Sequence, residues 1–393
     1  MSDVDRLLGW FADGSLVRPD ATEPGTVHLA RALVSLAGAE SHGLEAPAQG
    51  IADAIGAAEH YVLVLIDGLG MNLIDALPAD SFLRRHVSME MQAVFPSSTA
   101  PALTALFTAC WPSVHAVTGW WTYLPDAGVT STILPFIERF SGRPLGDFGV
   151  TSESAFRTPS TLPQLRGATS WMPEAIAEST SSRYFRGDTA AHGYKRLSDA
   201  CEAIARSTAA AHNTTYTYLY IPYVDNTEHE HGPASEAVRR SLDDTQRELE
   251  ELARTLAGRG RIIITADHGQ IDIAQSGQRV IREDDPLLRL LIVPPTGDYR
   301  APLFHVRAGQ EDRFVSEFSG RFGDEWALLN TDEVDELRLL GPEPLASETR
   351  RRWGDFVAIG AGRDAIRYAP REPMLGYHGG LRPEEMRIPL ILV

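Results

Sequence analysis

The run Tyr61-Val-Leu-Val-Leu-Ile66 is apolar at every position. A strand with one wet face alternates, so an unbroken run of this length reads as a parallel strand covered on both faces. It stops at Asp67-Gly68, a turn signal, and a helical pattern follows from Met71. A second unit runs from Met91–Phe95 through Pro96-Ser-Ser-Thr99 into a helical stretch, Ala100–Ala109. Thr215–Tyr223 and Arg261–Thr265 read as further strands, and a last one falls at Phe356–Gly360 or at Ile388–Val393. Upstream, His28–Ala39 and Gly50–Ala58 carry Ala/Leu-rich helical patterns.

Strands alternating with helices predict an α/β fold with a mostly parallel central sheet flanked by helices. Residues 1–58 form an N-terminal helical segment packed on the core, and residues 59–283 and 351–393 form the core itself. Thr118–His192, rich in Gly, Pro, Ser and aromatics, is expected as an inserted wall of the site. Residues 284–350, with a strand at Phe304–Val306 and a helix at Glu311–Arg321, are expected as a small inserted cap. In such sheets ligands bind beyond the carboxyl ends of the strands.

Composition narrows the choice of partners. Of 393 residues, 36 are Lys or Arg and 53 are Asp or Glu, a net charge of -17. So acidic a chain is not expected to bind a nucleic acid polymer, which demands a basic surface. It also repels anionic substrates at long range, so a phosphate substrate would need strong local positive charge. Met1–Leu16 carries Asp3, Asp5 and Asp13 and shows neither a basic leader nor an apolar core. The apolar runs are too short to span a bilayer, so no membrane association is expected. With two cysteines, Cys110 and Cys201, no disulfide framework exists, and a reducing cytoplasm is the expected compartment.

Candidate chemistry gathers at the predicted strand ends. Asp67 follows the first strand and alone reads more readily as a turn or cap residue than as a ligand. In Tyr223-Val-Asp225-Asn-Thr-Glu-His229-Glu-His231-Gly-Pro233, Asp225 and His229 lie four apart, so a helical turn puts them on one side where they could grip an ion. Glu228 and Glu230 are expected to face water, and His231 to be solvated or to lie behind the ligands. Asp267-His268-Gly269 closes another strand, and Gly376-Tyr-His378-Gly-Gly380 offers a further imidazole. An Asp/His set without cysteine suits zinc, and manganese less well. Two such ions could hold the attacking and leaving oxygens of a displacement at phosphorus. Phe95-Pro-Ser-Ser-Thr99-Ala-Pro101 supplies hydroxyls at a helix start, where free N–H groups favour a phosphate.

In order and spacing these segments resemble the alkaline phosphatase superfamily, in its nucleotide pyrophosphatase/phosphodiesterase branch. That branch has an aspartate after the first strand, a Phe-Pro-Thr/Ser-x-Thr-x-Pro segment, Asp-x-x-x-His-x-x-Gly-Pro, Asp-His-Gly and a late His-Gly. The chain has Asp67, Phe95 to Pro101, Asp225 to Pro233, Asp267 to Gly269 and His378-Gly379, spanning residues 67 to 379. The resemblance implies one ion on Asp225, His229 and His378, and another on Asp67, Asp267, His268 and the Thr99 oxygen. It implies that Thr99 attacks phosphorus and forms a phospho- or nucleotidyl-threonine that water hydrolyses, with Ser98 the competing nucleophile.

One departure concerns the substrate. The family pattern has an asparagine after the proline, where this chain has Ala102, and Thr104 is a candidate to replace that donor; Gln270 stands where an apolar residue is more usual. The resemblance therefore implies a metal-dependent phosphodiesterase or nucleotide pyrophosphatase acting on a small phosphate-containing compound, nucleotide-like or another diester. Trp120, Trp121, Tyr123 and Phe136 could stack a ring of the substrate or simply pack the insertion. Alternatives are a phosphomonoesterase or phosphonate hydrolase on the same two-metal site, with Arg157 and Arg186 as candidate cations, and a binding protein that keeps the metals without turnover.

Overall fold

A computed structural model describes residues 2–38, 44–256, 258–323, 325–368 and 374–393. Its central sheet has seven strands: β1 (His60–Ile66), β2 (Val87–Gln92), β3 (Thr169–Pro173), β4 (Ala190–Tyr194), β5 (Thr215–Ile221), β6 (Gly260–Thr265) and β7 (Arg387–Leu392), in the order β2-β7-β6-β1-β5-β3-β4. β1 lies at the middle between β5 and β6, parallel to both, and all seven of its residues are buried. That is why its sequence shows no alternation. β7 alone runs antiparallel, against β6 and β2, so β2 points the same way as the parallel strands.

The expected β2 is shifted. The second unit was expected at Met91–Phe95, whereas the strand is Val87–Gln92, an edge strand that pairs with β7 along its length and bridges to Gly25 at Gln92, with Ser88 and Glu90 exposed. The final strand of this sheet is at the chain's end. Phe356–Gly360 instead joins a second, antiparallel sheet of seven strands. This sheet also takes in Trp121–Leu124, Val129–Thr132 and Ile137–Glu138 from one insertion, and Thr296–Asp298, Ala301–Phe304 and Trp326–Asn330 from the other. The stretch 118–192 is therefore divided: its first part builds the second sheet, and β3 and β4 extend the central one. Short, half-exposed edge strands such as Ala190–Tyr194 leave too weak an apolar signal to be read as sheet.

The N-terminal helices Thr26–Ala37 and Ala46–Ile55 pack into the main core through Leu29, Leu33, Ile51 and Ile55; residue Ala39 of the predicted helix lies outside the described residues. The Asp3–Ala12 helix, which the sequence reading passed over, rests on the Trp326–Asn330 strand. Among the described residues, no helix is long and apolar enough to cross a membrane.

Candidate metal centre and active site

Every parallel strand of the central sheet delivers its carboxyl end to one edge, and β7 begins at that same edge. Asp67 follows β1, Asp225 and His229 lie on the Tyr223–His231 helix just after β5, and Asp267 and His268 follow β6. Thr99 opens the Thr99–Thr108 helix after β2, and His378 sits in the segment leading to β7. The crossing of Asp67 and Asp225 is close: the Asp225 N–H donates to the Asp67 carbonyl at 3.1 Å. Gly68 permits it, with a φ of 80°. A Cβ there would lie 2.5 Å from a Glu228 oxygen and 3.0 Å from the Asp225 Cα.

The three histidines are held alike. The Nδ1–H of His229 donates to the Gly376 carbonyl (2.9 Å), that of His268 to Gly269 (3.2 Å) and that of His378 to Ser97 (3.2 Å). Each ring is thereby fixed in the tautomer whose Nε2 lone pair is free, the usual arrangement behind a metal-ligating imidazole. His268 Nε2 lies 3.5 Å from both Asp67 Oδ1 and Asp267 Oδ2, and 3.1 Å from Thr99 Oγ1. His229 Nε2 is 3.4 Å from Asp225 Oδ1. The His268 and His378 rings stack with centroids 3.8 Å apart, and those of His229 and His378 are 5.1 Å apart. Burial first, then the neighbouring His268 and His229, holds His378 well below the usual imidazole range. It is a neutral donor.

Two donor groups with ligand atoms within 4.8 Å of one another emerge: Asp67, Asp267 and His268, and Asp225, His268 and His378. They overlap at His268, whereas the resemblance assigned His229 to the second. The carboxylates are bound on one side only. Asp267 Oδ1 accepts from the N–H groups of Gly68 and His268, and Asp67 Oδ2 from the Tyr220 hydroxyl, but Asp267 Oδ2 and Asp67 Oδ1 have no hydrogen-bond partner among the described residues. Buried polar atoms of native proteins are nearly always satisfied, so orphaned carboxylate oxygens facing imidazole lone pairs fit a cation between them. Burial, together with Asp267 and Asp225, pushes the Asp67 carboxyl well above its usual range.

Some expected site residues lie elsewhere. Ala102 faces an apolar cluster with Val27, Val94, Ala105 and Trp111, so position 102 is a packing site. The buried Thr104 hydroxyl donates to Ala100 within its own helix. Trp121 is buried against Tyr299, and Tyr123 packs on His305 with centroids 4.7 Å apart. Phe136 is buried beside Phe156, and Arg186 pairs with Glu178 at 2.7 Å. Trp120 is half-buried, and its backbone N–H donates to Asp298, which also accepts from Ser98 at 2.9 Å.

Other residues at the site were missed. Glu228, expected in water, is fully buried, with neither oxygen hydrogen-bonded among the described residues; burial, then Asp225, Asp272 and Asp267, drives its carboxyl upward. It faces inward because its helix is clamped between Gly68 and the Gly376 strand. Gln270 donates to the Asp225 carboxylate, a role for its departure from the apolar pattern. Tyr220 and Asp298 had no local signal, since one is an alternate residue of a buried strand and the other a lone turn-type aspartate in Thr296-Gly-Asp298.

The model of the type I phosphodiesterase / nucleotide pyrophosphatase family matches residues 61–381. The chain belongs to this family. It is an enzyme of the phosphoric ester and anhydride hydrolase type. No curated protein sequence matches it. Among solved structures, the murine ectonucleotide pyrophosphatase / phosphodiesterase 5 superposes with a TM-score of 0.63 at 17% identity, covering 84% of this chain and 87% of that one. The same murine protein has been solved in an inactive threonine-to-alanine form in complex with AMP (TM-score 0.62, 17% identity, covering 84% and 87%). Phosphonoacetate hydrolase from Sinorhizobium meliloti, in complex with phosphonoacetate, gives a TM-score of 0.59 at 17% identity, covering 84% and 89%. At these identities the likeness is one of fold.

Proposed function

We propose that this family member is a metal-dependent phosphodiesterase or nucleotide pyrophosphatase in which Thr99 attacks phosphorus. The observation that carries the reading is the position of the Thr99 hydroxyl, 3.1 Å from His268 Nε2 where the two donor groups overlap. Asp67, Asp267 and His268 would hold one divalent ion, together with Thr99, and Asp225, His229 and His378 the other; zinc suits this donor set best. Such ions lower the pKa of a bound hydroxyl and neutralise charge on the phosphoryl oxygens.

The protein's own groups do the rest. The Thr99 hydroxyl gives up its proton to solvent and its oxygen bonds to phosphorus as the P–O bond to the leaving group breaks, the alcohol or phosphate taking a proton back from water. A second water then cleaves the phospho- or nucleotidyl-threonine and returns the hydroxyl. Thr99 begins a helix, so first-turn N–H groups without an intrahelical partner face the incoming anion. Ser98 is a poorer candidate nucleophile because its hydroxyl is already given to Asp298. The murine neighbour that is inactive as a threonine-to-alanine form and binds AMP supports both a threonine mechanism and a nucleotide-like substrate. Of the aromatic candidates, Trp120 is the one whose backbone is tied to the nucleophile segment, through Asp298.

The test compares bis(p-nitrophenyl) phosphate, p-nitrophenyl phosphate and a nucleotide p-nitrophenyl ester on the zinc-loaded enzyme. Diester preference is the expected result. A preference for the monoester, or turnover of phosphonoacetate alone, would replace this reading with that of a phosphomonoesterase or phosphonate hydrolase. No turnover of any of them would leave a metal-binding protein without catalysis.

A further inference from the structure

The Thr99–Thr108 helix begins in an unusual way. Ser98 is its N-cap, with extended backbone (φ -140°, ψ 149°), yet it makes no capping hydrogen bond. A serine there ordinarily accepts from the second or third helical N–H. The third helical residue is Pro101, which has none, so the Ala100 N–H is the donor Ser98 could have capped. Instead the Ser98 hydroxyl turns away and donates to Asp298 Oδ1 at 2.9 Å.

Asp298 comes from the second sheet and is buried where three site segments meet. It accepts from the Ser98 hydroxyl on the nucleophile segment and from the backbone N–H of Trp120 at 3.3 Å. The backbone after His378 is pressed against it: at Gly379, with a φ of 108°, a Cβ would lie 2.6 Å from the Asp298 Cβ. Gly119 is as close, since a Cβ there would lie 2.7 Å from Asp298 Oδ2. One carboxylate thus touches the segment of the proposed nucleophile, the segment of a proposed metal ligand and the half-buried Trp120.

We infer that Asp298 is a positioning residue for the phosphoryl transfer, acting through Ser98. It holds Ser98 extended, which sets Thr99 Oγ1 against His268, and it keeps the Ser98 hydroxyl from occupying the Ala100 N–H. The first turn of the helix then stays open to the phosphoryl oxygens. The inference rests on Thr99 being the nucleophile, and it assigns the inserted sheet a part in catalysis as well as in enclosure.

The experiment measures steady-state turnover of bis(p-nitrophenyl) phosphate by zinc-loaded full-length Asp298→Ala, Asp298→Asn, Ser98→Ala and the Asp298→Ala/Ser98→Ala double variant, with zinc content measured in parallel. Misplacing an attacking group by a fraction of an ångström costs on the order of 10- to 100-fold in rate. Asp298→Ala is expected to lose that much kcat with KM moved less than about threefold and with zinc content unchanged. Asp298→Asn, whose amide oxygen can still accept from Ser98, recovers part of the loss. Ser98→Ala reproduces it, and the double variant is no worse than either single one, as for two residues acting as one unit. Should Asp298→Ala fail to fold, Asp298→Asn and Ser98→Ala carry the same test. Wild-type kcat in Ser98→Ala, or losses that multiply in the double variant, overturns the inference. Turnover surviving in Thr99→Ala overturns the reading it rests on, whereas loss in Thr99→Ala with wild-type kcat in Asp298→Ala overturns the inference alone.

Discussion

Two clusters of buried charge lie on either side of the Asp267–Gln270 segment, and they are built on opposite principles. In one, Arg300 and Glu385, both fully buried, pair at 3.2 Å. Arg300 also donates to the Gly360 carbonyl, and Glu385 accepts from the Gly380 N–H at 2.8 Å. Charge is balanced and the carboxylate oxygens are used, the condition under which a buried ion pair is tolerated. In the other, Asp67, Asp225 and Asp267 converge with histidines that donate their only proton to backbone carbonyls. No arginine or lysine pairs with these carboxylates among the described residues, and two oxygens are orphaned. The first cluster is complete as protein. The second is complete only with added positive charge, and it stands where the overall charge of -17 would otherwise repel a phosphate.

The difference can be broken from either side. The largest effect is expected in catalysis: Thr99→Ala, which leaves both clusters intact, should cut diester turnover at least about a thousandfold, roughly 4 kcal/mol, while zinc binding persists. A variant retaining a tenth of wild-type turnover would remove Thr99 from the nucleophile role. Next comes the paired cluster. Glu385→Gln leaves the Arg300 charge buried and should cost about 3–5 kcal/mol in denaturant unfolding, the same with and without zinc. A loss seen only in the metal-free protein would mean that the two clusters are one.

Asp267→Asn sharpens the contrast, because it should not weaken the metal-free fold. The amide oxygen still accepts from Gly68 and His268, and a repelling charge is gone. What it should remove is the stabilisation by zinc at the Asp67–Asp267–His268 site, about 2.7 kcal/mol at a hundredfold excess over Kd. The smallest effect concerns pH. Burial raises the Asp298 carboxyl to about 6, so between about 4 and 6 the folded protein binds the extra proton. The contribution of Asp298 to the stability of the chelated protein should therefore fall as pH rises through that window, by on the order of 1–3 kcal/mol, as should that of Asp67, against the opposite contribution of buried neutral imidazoles such as His378. Thermal unfolding in EDTA of the wild type against Asp298→Asn, whose amide does not titrate, checks this, and a stability difference in favour of the wild type that grows from pH 4 to 6 would contradict it.

How much of this was legible in the sequence depended on whether the signal was local. β1, β5 and β6 announce themselves because strands covered on both faces are rich in β-branched, aromatic and aliphatic residues, and the catalytic candidates follow because such strands end in loops at one edge. The outer strand β3 and the edge strand β4 were hidden in a stretch read as insertion, since half-exposed strands share their composition with loops. The second sheet draws strands from segments more than a hundred residues apart, a pairing no local pattern encodes. Glu228 was misjudged for a similar reason: helical spacing says which residues share a face, not which face a Gly68 turn will press inward. Concern over Ala102 assumed a side chain facing the site, and the helix instead turns that position into an apolar cluster.

If the uncompensated cluster is a metal centre, it binds zinc with a fixed stoichiometry. Calorimetric titration of the chelator-treated full-length protein should show two zinc ions bound per chain, with at least one site lost in Asp267→Asn and both kept in Glu385→Gln. Absence of saturable zinc binding, or two sites undiminished in Asp267→Asn, would contradict it.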